Sequence, residues 1–130
     1  MMGPIRHIVM WRVRGDTPEE RATARLKVKA AFEGLKGRIE GLNHIEIGLD
    51  VSDVDYACDV VLVSEFANRA DLEAYANHPE HLRVRRELSD LRIARFQVDY
   101  VAPCAAGAAE AAPEHFSGAG APRAGVLAGE

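Results

Sequence analysis

The chain is poor in the residues that build special-purpose sites: it has two cysteines, one tryptophan, 6% aromatic residues and no excess of positive charge. Each scarcity excludes something. Cys58 and Cys104 have neither metal-ligand nor redox spacing, so no zinc site and no disulfide framework are expected, and a reducing, cytoplasmic setting follows. The 16 Lys and Arg against 20 Asp and Glu leave a formal net charge of -4. Nucleic acids and anionic membranes are usually met by a basic stripe, so neither is an expected partner. Arg83, Arg85 and Arg86 form the one tight basic cluster, but Glu80, Glu87 and Asp90 dilute it into a solvated helix face. No apolar run approaches membrane-spanning length. The stretch after Met1 is interrupted by Arg6, His7, Arg12 and Arg14 with no small-residue cleavage site behind it, so no signal peptide is expected.

What is there suffices for one core: 130 residues, 48% of them hydrophobic. From Ala102 onward Ala, Gly and Pro fill most positions, and the large apolar side chains shrink to Phe116, Val126 and Leu127. Such a segment buries too little surface to offset its ordering entropy, so 102–130 is expected to be a disordered tail outside a folded domain at 4–101.

Within the domain the periodicity alternates between strand and helix. Ile5 to Val13 is apolar on both faces in its middle, as a covered strand is. Thr17-Pro18-Glu19-Glu20 is a capping box with proline at the first helical position. The helix it starts carries Ala24, Val28, Ala31, Phe32, Leu35 and Ile39 on one stripe and is expected to end at Gly37 or Gly41. Leu42 to Val51 has one apolar and one wetter face, an edge strand, and Ser52 to Asp55 is a turn. Ala57 to Phe66 carries Val60-Val61-Leu62-Val63, a second covered strand. Asn68 caps a helix that breaks at His78-Pro79 and resumes from Glu80 to about Leu88. Arg92 to Val101 alternates as a last strand, with Ala94, Phe96, Val98 and Tyr100 opposite Ile93, Arg95, Gln97 and Asp99.

The order βαββαβ predicts an α+β, ferredoxin-like fold: a four-stranded antiparallel sheet with the first and third strands central and both helices on one face. The other face then exposes an apolar patch too large for a soluble monomer. A second copy packed sheet to sheet covers it, giving a dimeric α+β barrel that encloses a space between the sheets.

Tyr75-Ala76-Asn77-His78-Pro79-Glu80-His81 is the informative stretch. His81 shares an apolar helix stripe with Val84 and Leu88, and His7 lies among apolar neighbours on the first strand. Burial among hydrocarbon disfavours the charged imidazole, and a neutral imidazole is a competent proton acceptor. Tyr75 offers a phenol to an oxygen gaining negative charge. Each has a plainer reading as well: His81 and His7 as satisfied core histidines, Tyr75 as a packing aromatic, His78 as a cap, Trp11 and Phe96 as core or interface. His7, His78 and His81 are metal-ligand types, but the proline break spoils a regular two-ligand helix face, and no metal is expected.

The opening Ile5-Arg6-His7-Ile8-Val9, the order of elements, and Tyr75 followed by His78-Pro79-Glu80-His81 resemble the stress-responsive A/B barrel (Dabb) family over about residues 4 to 101. The resemblance implies a homodimer whose sheets form a barrel. In the plant polyketide (olivetolic acid) cyclases that are similar to it, a tyrosine and a histidine matching Tyr75 and His81 promote an aldol condensation without metal or cofactor, and a histidine matching His7 lines the pocket. Carried over, His81 removes a proton between two carbonyls while Tyr75 stabilises the enolate. His7, Val9, Trp11 and Arg92 are the expected ligand-binding residues. Arg92 departs from the cyclases, which have a pocket aromatic there, and that opens the site to a charged or smaller ligand. Three functions stay open: a cofactor-free lyase or cyclase, a stress protein that binds a small molecule without chemistry, and, by fold analogy alone, a cofactor-independent monooxygenase.

Overall fold

A computed structural model describes residues 3–103. Its elements are β1 (Ile5–Val13), α1 (Pro18–Glu33), β2 (Leu42–Leu49), β3 (Val60–Phe66), α2 (Arg69–Ala76), α3 (Pro79–Leu88) and β4 (Arg92–Val101), with one 3-10 turn at Ser89–Leu91. The sheet runs β2-β3-β1-β4 with every neighbouring pair antiparallel, the ferredoxin-like arrangement expected. The two strands that read as covered on both faces, β1 and β3, are the central ones. Ala102 is buried, and its N–H donates to the Pro4 carbonyl at 2.7 Å. The rest of the expected tail, 104–130, lies outside the described residues.

Local chemistry explains the boundaries. The Glu20 N–H donates to Thr17 Oγ1 at 3.1 Å, and Glu20 Oε1 accepts from the Asp16 N–H at 2.8 Å, a capping box displaced by one residue at its return bond. α1 ends at Glu33, one turn before the expected glycines, with Gly34 as its cap. Glycine is a poor helix former, and the chain turns through Gly37 (φ 77°) and Gly41 (φ 91°), where side chains are strained. Leu35 and Ile39 still reach the core from those turns. β2 and β3 are shorter than expected because Asp50 nucleates the turn between them. Its carboxylate accepts from the Ser52 hydroxyl and the Asp53 N–H, and these bonds, the Asp53 one foremost, hold the carboxyl below its ordinary range.

The inner, helix-covered face holds the core. Val9, Trp11, Leu62 and Phe66 from the sheet meet Val28, Phe32, Leu72, Val84 and Leu88 from the helices, all at most 2% exposed. β4 departs from simple alternation. A bulge between Arg12 and Val13 pairs Val13 with Arg92 and Arg12 with Ala94, leaving Ile93 over and 54% exposed. Arg92 therefore joins Arg95, Gln97 and Asp99 on the inner face, and Ile93 does not.

At the start of β3, Asp59 binds three elements together. Its Oδ2 accepts from the Val13 N–H at 2.9 Å, and its Oδ1 accepts from Arg25 Nε and Nη2 at 3.0 and 2.9 Å. Asp59→Ala leaves the Val13 N–H without its acceptor and a partly buried guanidinium without its carboxylate partner, and the expected loss is about 2 kcal/mol of unfolding free energy. Urea denaturation followed by Trp11 fluorescence measures it; a change under about 0.5 kcal/mol would show the clamp to be idle.

Candidate functional site

The helix break places the first functional side chain. Pro79 has no N–H, so the Tyr75 carbonyl takes the His78 N–H at 3.1 Å in a tighter turn. The next donor, the Glu80 N–H, is taken by His78 Nδ1 at 3.0 Å, which makes His78 the N-cap of α3, the capping role foreseen for it. The Ala76 carbonyl thereby loses its regular helical donor and accepts from His81 Nδ1 at 3.1 Å. A carbonyl only accepts, so Nδ1 carries the proton and the lone pair of the neutral ring is on Nε2. His81 is 0% exposed.

Tyr75, on the last turn of α2, lies against it with ring centroids 4.5 Å apart. Its other flank meets His7 from the middle of β1 at 6.1 Å and Phe66 from β3 at 5.1 Å. Tyr75 is thus held between two buried imidazoles. His7 Nδ1 donates to Asp99 Oδ1 across the β1–β4 ladder at 2.6 Å, while Gln97 Nε2 donates to Asp99 Oδ2 at 2.9 Å. This again puts the lone pair of the neutral ring on Nε2. Below, Ser64 Oγ donates to the His7 carbonyl at 3.1 Å.

The layer continues toward the other end of β1. Phe32 lies 6.4 Å from His81 and stacks on Trp11 at 4.9 Å, and the Arg92 guanidinium sits 5.5 Å from the Trp11 ring and 5.7 Å from the Phe32 ring. Cations favour aromatic faces at these separations. Val9 is fully buried between His7 and Trp11 on the same face. All six residues singled out from the sequence, His81, Tyr75, His7, Val9, Trp11 and Arg92, therefore line one layer.

The six residues lie between helices and sheet within a single chain, on the opposite side from the face where two sheets would meet. The parity of β1 decides this, since His7 shares its face with Val9 and Trp11, which pack under the helices. Sequence reading missed Asp99, Gln97 and Phe32 as members of the layer. The antiparallel register of β1 and β4, which sets His7 opposite Asp99, was the available signal. His44 is exposed on the edge strand beside Glu46 and takes no part. Among the described residues no group of three or more His, Cys, Asp or Glu is arranged to hold a metal, and no helix is long and apolar enough to cross a membrane.

Fold and site together define a ferredoxin-like α+β domain with a polar aromatic layer buried beneath its helices. The chain belongs to the Stress responsive A/B Barrel Domain family, whose model matches residues 5–102. A dimeric protein of unknown function with a ferredoxin-like fold from Bacteroides fragilis is 35% identical, covering 76% of this chain and 96% of that one with a TM-score of 0.68. A dimeric ferredoxin-like protein from Thermobifida fusca is 23% identical (76% and 91% covered, TM-score 0.64). The hydroxynitrile lyase of Passiflora edulis shares the fold at 17% identity (79% and 96% covered, TM-score 0.65). No curated protein matches the sequence.

Asp99→Ala removes the acceptor from a buried His7 N–H, and a loss of about 1–3 kcal/mol in unfolding free energy is expected, with Asp99→Asn losing less because it keeps an acceptor. Equal stability of Asp99→Ala and the parent protein in chemical denaturation would show that His7 does not depend on this bond.

Proposed function

We propose that this protein is a cofactor-free enzyme of lyase or cyclase type, acting on a small substrate with an acidic C–H between two carbonyl groups. The observation that carries the reading is the His81–Tyr75 pair: a buried imidazole with its Nδ1 proton tied to the Ala76 carbonyl, 4.5 Å from a phenol ring. His81 Nε2 takes the proton from the carbon. The electron pair moves onto the carbonyl oxygen, and the Tyr75 hydroxyl donates a hydrogen bond to the enolate so formed. His7, with the Asp99 carboxylate behind it, lines the same site; Val9, Trp11 and Arg92 contact the rest of the ligand. These rings are at most 1% exposed, and the inner face of β4 beside them is half-buried.

The rate of deuterium uptake at the central carbon of ethyl 2-methylacetoacetate, followed by NMR in heavy water, tests the chemistry on a simple surrogate for the natural substrate. Catalysed uptake is expected to fall about 100-fold or more in His81→Ala, the usual contribution of a general base, and to fall also in Tyr75→Phe. Uptake that the parent protein does not accelerate, or that both variants accelerate equally, would leave a stress-associated binding protein without chemistry as the better reading.

The same proposal makes the working unit a homodimer. On the helix-free face Ile8, Met10, Val61, Val63, Phe96, Val98 and Tyr100 form a contiguous apolar patch, with Phe96 and Val98 52% and 58% exposed. An apolar patch of that kind marks an interface, here for the second copy's sheet, and solved relatives described as dimeric support a homodimer. A reducing, cytoplasmic setting is supported by the absence of disulfide spacing in the sequence. Light scattering at micromolar concentration is expected to give twice the chain mass of 14.2 kDa, and Val98→Glu, which buries a charge in the patch, is expected to give the single-chain mass. A parent protein that scatters as one chain would overturn the dimer.

A further inference from the structure

We infer that the protein has a second ligand site, a charged cavity at the Val13 end of the sheet that takes a small zwitterion of the α-amino acid type. The inference goes beyond the proposed chemistry and does not rest on it, since the buried ring layer does not line this cavity. The space is about 520 Å³, within the size range of small-molecule sites. It lies between the Arg14-Gly15-Asp16 turn after β1, the first turns of α1, and the loop from Asp50 to Asp59. Four arginines and five aspartates line it. Some of these charges are engaged within the fold. Arg25 is held by Asp59, Arg14 turns to the Asp90 carbonyl and carboxylate, and the Asp50 carboxylate fixes its own turn.

The remaining charges are divided by depth. Arg12 and Arg21 are half-buried, whereas Asp16, Asp53 and Asp55 are exposed. Each of the two guanidiniums gives one nitrogen to a backbone carbonyl, Arg12 to that of Asp55 at 3.4 Å and Arg21 to that of Gly15 at 3.1 Å. Among the described residues no carboxylate pairs with either arginine, and no donor meets the Asp53 or Asp55 carboxylate. The cavity therefore has a cationic floor and an anionic rim. A phosphate at the arginines would be repelled by the rim, and a bare metal cation at the rim would be repelled by the arginines. A molecule that carries a carboxylate and an ammonium satisfies both poles at once. The planar guanidinium fork matches the carboxylate, and partial burial leaves less solvent to screen the pair. The ammonium donates to the aspartates at the mouth. The Asp59 clamp fixes β1, α1 and β3 against one another, and the Asp50 turn pins the loop that carries Asp53 and Asp55, so little ordering is left for binding to supply.

Full-length protein labelled with nitrogen-15 is titrated with alanine, with N-acetylalanine, which lacks the ammonium, and with alaninamide, which lacks the carboxylate. Inorganic phosphate and calcium serve as probes of one sign only, and backbone amide resonances are followed by NMR. Alanine is expected to shift the amides of Gly15, Asp55 and Ala57 and to bind at least about tenfold more tightly than either blocked form. Replacing Arg12→Gln together with Arg21→Gln is expected to reduce alanine to the binding of alaninamide. Replacing Asp53→Asn together with Asp55→Asn is expected to reduce it to the binding of N-acetylalanine. A merely structural role would cost both preferences at once, and the same spectra show whether each variant is folded. The titration of the parent protein decides the matter where a variant does not fold. Equal binding of alanine and its blocked forms, no response to any of them, or shifts confined to residues outside the cavity would overturn the inference. So would tighter binding of phosphate or calcium than of alanine, or a preference for alanine that survives both double replacements.

Discussion

The accounting of backbone hydrogen bonds at the break between α2 and α3 is the constraint on which the site depends. Pro79 removes one donor and His78 diverts another, so the helix ends with the Ala76 carbonyl turned over to a side chain. His81 supplies that side chain one turn later. An unsatisfied buried carbonyl and an unsatisfied buried imidazole N–H are each unfavourable by about 1–3 kcal/mol, so each secures the other. The bond also decides the tautomer, and with it where the ring can accept a proton. A continuous helix through this segment would have consumed the carbonyl internally and left the imidazole with no fixed orientation.

The sheet carries two different surfaces on opposite sides, and the strand period of two keeps them apart. The odd positions of β1 bring His7, Val9 and Trp11 under the helices, while the even positions add Ile8 and Met10 to an apolar outer face. The apolar patch and the buried histidine layer therefore lie on separate faces of the same strands. The outer face is bordered by Arg6, which pairs with Glu65 at 3.2 Å and bonds to the Tyr100 hydroxyl at 3.3 Å. The proposed association and the proposed chemistry can therefore be altered independently.

Much of this was legible in the sequence because it rests on local signals. Thr17, Asn68 and the His78-Pro79 break mark helix ends through chemistry contained within a few residues, and the double-faced apolar runs of β1 and β3 identify the central strands. The burial of His81 was legible for the same reason, since it falls on one apolar helix stripe with Val84 and Leu88. What escaped was non-local. The β4 bulge, which turns Arg92 inward and Ile93 outward, depends on the pairing with β1 and leaves no mark in the alternation of β4 alone. The partnership of His7 with Asp99, 92 residues apart, needs the strand register as well. The early end of α1 at Gly34 reflects glycine's propensity overriding an apolar stripe that continues to Ile39.

Nitrogen-15 NMR of the histidine side chains tests the central claim most directly. The neutral form of the His81 ring is expected to be a single tautomer, with its proton on Nδ1 and Nε2 resonating as an unprotonated ring nitrogen. A spectrum with the His81 proton on Nε2, or one averaged between tautomers by rapid exchange, would contradict it.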